Sequence, residues 1–346
     1  MALTKSQALD RLRSDDLLGL GREADALRRR LHPGNVVTYI VDRNINYTNV
    51  CTEYCSFCAF YRPVGSPESY IQPLESICQK IEETLALGGT GILLQGGLHP
   101  DLKIDFYENL LLSIKRRYPR LHLHCFSSPE IVNIAEVSGL TLRDTLARLM
   151  DAGLDSIPGG GAEILDDEVR RRIARRKCTS EEWLGVHRTA HQLGLRTTAT
   201  MMFGCGETFA QRLNHFDCLR QLQEETGGFT AFIPWMFQPA HTSLGNFVKE
   251  ETTAIDYLKT LAVSRLYLDN ILNVQASWLT PGPKICQIAL RFGGNDVGSI
   301  LIEENVVRAA GCTNTTNEAE LRRLITDAGF RPVKRDTLYR TYFLAE

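Results

Sequence analysis

Eight short apolar runs, each followed by a stretch of helical periodicity, recur between residues 36 and 302 and leave few folds open. VVTYIV (36–41) is apolar and rich in β-branched residues, as a strand buried on both faces must be. TGILLQ (90–95), LHLHCF (121–126), LDSIPGGG (154–161), LRTTATMMF (195–203), FTAFIPW (229–235), NVQASW (273–278) and a weaker run near 297–302 continue the series. The first intervening helix starts at about Pro73, with Leu74, Ile77, Cys78, Ile81 and Leu85 on one stripe. Further helices are expected near 105–117, 129–137, 141–151, 208–225 and 252–269, and after Pro283. Another opens with the capping box Thr179-Ser180-Glu181-Glu182. Alternating strands and helices imply a parallel sheet, because parallel neighbours need a crossover. Eight such units fit an α/β chain closed into a (β/α)8 TIM-type barrel over residues 36–302; a doubly wound open sheet is the alternative.

Two segments flank the barrel. Residues 1–35 read as a helical extension with Ser14 as an N-cap, and residues 303–346 as a C-terminal extension with one helix near 317–328 and an extended end. No repeat and no Pro/Gly linker interrupts the chain, so one domain with short extensions is expected. Thirty-nine basic against 41 acidic residues give a formal charge of −2, which argues against binding nucleic acid by neutralising phosphates. No apolar run approaches the roughly 20 residues that span a bilayer. The opening MALTKSQALDRLRSDD has no apolar stretch of a secretory signal, so a cytoplasmic protein without a membrane partner is expected. Ten cysteines in such a chain suggest reduced thiols, with metal binding or catalysis as the interesting option.

Cys51-Thr52-Glu53-Tyr54-Cys55-Ser56-Phe57-Cys58 is a CxxxCxxC motif on the loop after the first strand. Ten cysteines scattered at random would give that spacing in about one chain in a hundred. Three close thiolates suit an iron–sulfur cluster, and in a four-iron cluster they leave one iron without a protein ligand. Cys78 does not complete the set, since it belongs to the apolar stripe of the next helix. An open position is what a catalytic metal centre requires. A three-thiolate zinc site with a distant fourth ligand, or three unrelated buried thiols, are the plainer accounts. His187 and His191 are four apart on a helix, but Glu182 does not stand as in HExxH, so they read as outer residues. The basic tract Arg170–Lys177 reads first as a solvated helix face.

The cysteine motif, with an aromatic residue just before its last cysteine, resembles the radical S-adenosylmethionine (SAM) superfamily. The resemblance implies a 4Fe-4S cluster held by Cys51, Cys55 and Cys58, whose open iron binds SAM. An electron from the cluster then cleaves SAM to methionine and a 5′-deoxyadenosyl radical. Gln95-Gly96-Gly97 stands in place of that superfamily's GGE motif, with Leu98 where the acid is usual, so the backbone role alone carries over. Thr200–Glu207 partly resembles its GxIxGxxE motif, with Thr200 for the first glycine. Phe57, Glu163 and Met202 are the implied lining of the SAM site, Glu163 toward the ribose and Met202 toward the adenine. A helix N-terminal acid and an ordinary core methionine are the plainer readings of the last two. One member of the basic tract would pair with the SAM carboxylate.

Within the superfamily the resemblance narrows. INYTNVCTEYCSFCAFYRP (45–63), LLQGGLHPDL (93–102), LDSIPGGGAEIL (154–165), LRTTATMMFG (195–204), GGFTAFIPWMFQP (227–239) and SWLTPGPKICQIALRFGGND (277–296) resemble the cyclic dehypoxanthinyl futalosine synthases of menaquinone biosynthesis. Aminofutalosine synthases and deazaflavin FO synthases share the Cys loop, GGLHP and GGGAEIL. CAFYRP, TAFIPW and the Phe292–Asp296 loop favour the cyclases. The resemblance implies an oxidoreductase that abstracts hydrogen from the ribose of dehypoxanthine futalosine and closes that carbon onto the benzoate ring, with an electron donor such as flavodoxin or ferredoxin. Asp296, His122 and His124 are the candidate bases, and Lys284 or Arg291 the candidate partners of the benzoate. Radical addition of the aminofutalosine synthase type is the alternative reaction, and a structural iron–sulfur or zinc protein the alternative class.

Overall fold

The computed structural model describes residues 3–248, 250–339 and 342–343. The strands are β1 (Val36–Ile40), β2 (Asn44–Asn46), β3 (Gly91–Gln95), β4 (His122–Cys125), β5 (Ser156–Ile157), β6 (Arg196–Phe203), β7 (Phe229–Met236), β8 (Asn273–Val274), β9 (Asp296–Ser299), β10 (Arg331–Arg335) and β11 (Tyr342–Phe343). β2 to β8 pair in sequence order, all parallel. A parallel bridge from Gln275 to Asp296 joins the end of β8 to β9, and β9 pairs in parallel with β1. β1 and β2 are two halves of one wall, so eight staves close into the expected barrel. Strand alternation sends Leu94, Leu123 and Cys125 outward into the helical layer and Leu93, Gln95 and His124 into the lumen.

The element boundaries differ from expectation where turn chemistry cuts the strands. The fourth run shrinks to Ser156–Ile157, because Pro158 and three glycines follow, and the seventh to Asn273–Val274. The N-terminal segment is two helices, Lys5–Arg13 and Leu17–Leu31. Ser14, expected as an N-cap, instead closes the first helix. Asp16 caps the second by accepting from the Gly19 amide at 2.8 Å. A capping box at Thr4 and Gln7 starts the first. Ala8, Leu12, Leu20 and Ala24 of this pair are buried against the helix Ala254–Tyr267 and the barrel side it covers.

The largest departure is the C-terminal segment. After the helix Glu318–Asp327, β10 runs parallel to β1, with Val36 to Tyr39 facing Arg331 to Lys334 in register. β1 therefore has β9 on one side and β10 on the other, while the second half of that wall, β2, pairs with β3. The segment expected as an appendage thus forms part of the wall at the strands' N-terminal end. Residues 340, 341 and 344–346 of it, like 1, 2 and 249, lie outside the described residues.

Candidate active site

The loop after β2 carries the three cysteines at the C-terminal end of the barrel, where enzymes of this architecture keep their chemistry. Backbone bonds fix it: Cys51 N donates to Arg62 O at 3.1 Å, Thr52 N to Leu98 O at 3.1 Å, and Cys58 N to Cys55 O at 3.1 Å. Ser56 N and its hydroxyl both donate to Ile173 O, at 2.8 and 2.7 Å. Cys51 and Cys55 are buried and Cys58 partly so; all ten cysteines are free thiols. Burial pushes the Cys51 and Cys55 thiols up, and the other thiols of the motif add to it, so the three act on one another. Among the described residues no three acid, thiol or imidazole groups meet closely enough to hold a single metal ion. Ligands to a cluster each take a different iron, so they need no common atom.

The backbone beside the thiols suits a close-fitting ligand. Gly97 N donates to Thr48 O at 3.0 Å, and a Cβ on Gly97 would lie 2.1 Å from Val50 O. Gly96 N donates at 2.9 Å to Glu130, a buried carboxylate that also accepts from Ser127 and from the Tyr47 hydroxyl. Glu130 therefore holds the Gly96 amide in the Gln95–Gly97 turn, a role that sequence reasoning did not single out. Glu53 Oε2 is buried with no partner among the described residues, an acceptor left over beside the thiols. These features fit a cluster and a SAM molecule.

Glu163 is 4% exposed and has φ +42°, in the left-handed region. It is not the helix N-terminal acid of the plainer reading: the next helix is Asp167–Ile173, and Asp166 caps it. Its carboxylate pairs with Lys177, whose ammonium also lies 5.1 Å from the Phe57 ring centroid. Burial opposes the Lys177 charge, but Glu163 and the Cys55 thiol more than offset it, so its pKa is raised. Met202 is fully buried on β6, and its amide donates to Glu163 O at 3.0 Å. Phe57, Glu163, Lys177 and the cysteine loop thus adjoin one another. Within the basic tract, Arg170 is buried and donates to the Ala162 and Cys178 carbonyls, which the reading as a solvated face does not describe.

Below the loop the lumen holds a cavity of about 340 Å³, in the range of small-molecule pockets. Gln95, Gly159, Gly160 and Thr200 form its upper part, and Ile233 and Trp235 give it an apolar side. Asp42, Ser299, Arg335, Thr337 and Tyr339 lie in its wall nearer β1 and β10. His122 Nε2 and His124 Nδ1 both meet the Ser156 hydroxyl, at 2.7 and 2.6 Å. Burial, then His122 and Arg335, lower the His124 pKa to about 3, so it is neutral and a weak base.

Asp296 stands apart from this cavity. It opens β9, at the opposite end of the barrel from the thiols, and is fully buried. Arg335 donates to both its oxygens at 2.5 and 2.9 Å, Thr38 Oγ1 donates at 2.5 Å and Gly298 N at 2.7 Å. Every oxygen of the expected base is engaged, so the placement does not suit proton removal. Lys284 is exposed on the helix Pro283–Ala289, and Arg291 stacks on Phe330 at 4.2 Å; neither lines the cavity. His187 meets the Ser128 hydroxyl, and His191 lies between Thr226 and Thr197, so both serve helix packing.

Residues 45–219 match the radical SAM superfamily, and residues 226–345 match the CofH/MqnC C-terminal region. The chain is 46% identical over 337 residues to a cyclic dehypoxanthine futalosine synthase of Halalkalibacterium halodurans, covering 97% of this chain and 90% of that one. It is 43% identical to a 5-amino-6-(D-ribitylamino)uracil–L-tyrosine 4-hydroxyphenyl transferase of Archaeoglobus fulgidus, covering 92% of each. Against an aminodeoxyfutalosine synthase of Thermus thermophilus it is 41% identical, over 94% of this chain and 88% of the other. Among solved structures, methylornithine synthase shares the fold with a TM-score of 0.72 at 19% identity, covering 96% of this chain and 94% of that one.

Proposed function

This chain belongs to the radical SAM superfamily, in the branch marked by the CofH/MqnC C-terminal region, and we propose that it is the cyclase of the menaquinone futalosine route, converting dehypoxanthine futalosine to its cyclic form. The observation that carries the cyclase reading is the 46% identity across 97% of the chain to a protein of that name. In this reaction the ribose 4′ carbon loses hydrogen and bonds the benzoate ring, which then gives up a proton and an electron. When bound, the reduced cluster supplies the electron that splits SAM into methionine and a 5′-deoxyadenosyl radical.

The protein's own residues bind, orient and exclude water. In this proposal Cys51, Cys55 and Cys58 hold the cluster. The Gln95–Gly97 backbone, fixed by Glu130, meets the methionine part of SAM. Phe57, Glu163 and Met202 line the adenosyl part, with Lys177 neutralising Glu163 until ligand enters. The lumen cavity takes the substrate. We read the electron donor as a flavodoxin or ferredoxin and the compartment as the cytoplasm, which the free thiols support. Among the described residues no helix is long and apolar enough to cross a membrane.

The test is anaerobic turnover of reconstituted protein with SAM, reductant and each candidate substrate in turn. Dehypoxanthine futalosine should be consumed and a product two hydrogens lighter should appear. Conversion of an enolpyruvyl benzoate to an adenosyl adduct would contradict the cyclase reading and leave the superfamily untouched.

A further inference from the structure

We propose that Asp42 is the base that takes the ring proton in the cyclisation, an assignment that rests on the reading above. Asp42 lies in the break between β1 and β2, where alternation turns every second residue to the lumen; Ile40, Asp42 and Asn44 all line the cavity. The Ser299 hydroxyl donates to Oδ1. Among the described residues Oδ2 has no hydrogen-bond partner. One carboxylate oxygen is thus held and the other is left for the cavity.

The other ionisable groups of the cavity are committed elsewhere. Glu304 caps the short helix Val306–Ala309, accepting from the amides of Val306, Val307 and Arg308. Arg335 is a cation chelated by Asp296, and its guanidinium lies 3.8 Å from the Tyr339 ring centroid. His124 has one nitrogen on Ser156, and burial makes it a weak base. The charged groups that act on Asp42 are Arg335 of β10, in the cavity wall, and, from behind it, Asp296 of β9. Burial raises the Asp42 pKa; the Ser299 bond and Arg335 temper the rise, and Asp296 adds to it. A carboxylate that gains a proton more readily than usual is the better general base.

The step balances. Bonding of the 4′ carbon turns the benzoate ring into a cyclohexadienyl radical. The C–H bond at the new junction breaks, its proton goes to Asp42 Oδ2, and its electron pair enters the ring to give an arene radical anion. The surplus electron passes to a one-electron acceptor of the iron–sulfur class, and the ring is aromatic again.

The test uses reconstituted Asp42→Asn with SAM, a reductant and substrate deuterated at ribose carbon 4-prime. Deuterium should enter 5′-deoxyadenosine within about twofold of the wild-type amount, while the cyclic product falls about 100-fold or more. Asp42→Glu should recover part of the product. Cyclic product within about threefold of wild type would overturn the assignment. So would parallel loss of label transfer and product at normal iron content, because that is the signature of a structural role. Should Asp42→Asn not fold, Ser299→Ala decides: losing that donor should move the pH profile of product formation upward, and an unmoved profile overturns the proposal. Absence of cyclic product from wild type contradicts the reaction reading itself and takes the assignment with it.

Discussion

Three thiols on one loop were legible from spacing alone, since no packing rule produces CxxxCxxC. Their roles are testable singly. Cys55→Ala should lose the iron of the reconstituted protein, while Cys205→Ala and Cys312→Ala should keep it, as measured by iron content and the visible absorption of the cluster. Cys205 donates to Glu207 and Cys312 to Leu279 O, so each of these thiols already has a protein partner. Glu163 was legible as a candidate but not its partner, because Lys177 looked like one more charge in a basic run. Glu163→Gln should weaken SAM binding about ten- to more than a hundredfold, the loss of one charged hydrogen bond of roughly 1.5–3 kcal/mol, with iron retained. Unchanged SAM affinity in an equilibrium titration would assign the carboxylate to neutralising Lys177 alone. Asp296 misled for a related reason. A lone acid at the end of a family-like stretch reads as chemistry, and only the fold reveals that Arg335, 39 residues later in sequence, consumes it.

The strands with apolar runs were found within a few residues, whereas β2 was not separated from the first run and β10 was foreseen only as part of an extended end. β10 is Arg-Pro-Val-Lys-Arg, polar and carrying a proline, which ordinarily demotes a strand. It joins the wall because its Arg335 finds a buried carboxylate there, a tertiary pairing that local propensity cannot encode. That pairing sets a stability prediction. Arg335→Met strands a buried charge on Asp296 and should cost about 3–5 kcal/mol in urea unfolding. Adding Asp296→Asn should return much of that loss. If the double variant is no more stable than the single one, the ion pair is not what seats β10.

For the whole molecule, periodicity gave the closed barrel because eight parallel staves leave few alternatives, whereas the lumen's polar lining carried no sequence period. That lining and the core around it also shape the response to pH. His215 is fully buried, and its Nδ1 accepts from the Leu165 amide at 2.9 Å. Burial, then the Arg170 charge, lower its pKa to about 3. The unfolded chain therefore binds a proton that the folded chain refuses: stability is full above about pH 6.5 and is lost as pH falls from there toward about 3. His215→Asn should make that acid slope shallower by about 1.4 kcal/mol per pH unit, read from urea midpoints between about pH 6 and pH 4. An unchanged slope would mean that His215 is protonated in the fold. In the proposed reaction this barrel uses the adenosyl radical to abstract hydrogen rather than to add to its substrate. The most direct measurement is the fate of deuterium at ribose carbon 4-prime during anaerobic turnover by the wild-type protein. Deuterium should appear in 5′-deoxyadenosine, in step with the cyclic product. Label retained in unreacted substrate, with the adenosyl group found in an adduct, would contradict hydrogen abstraction.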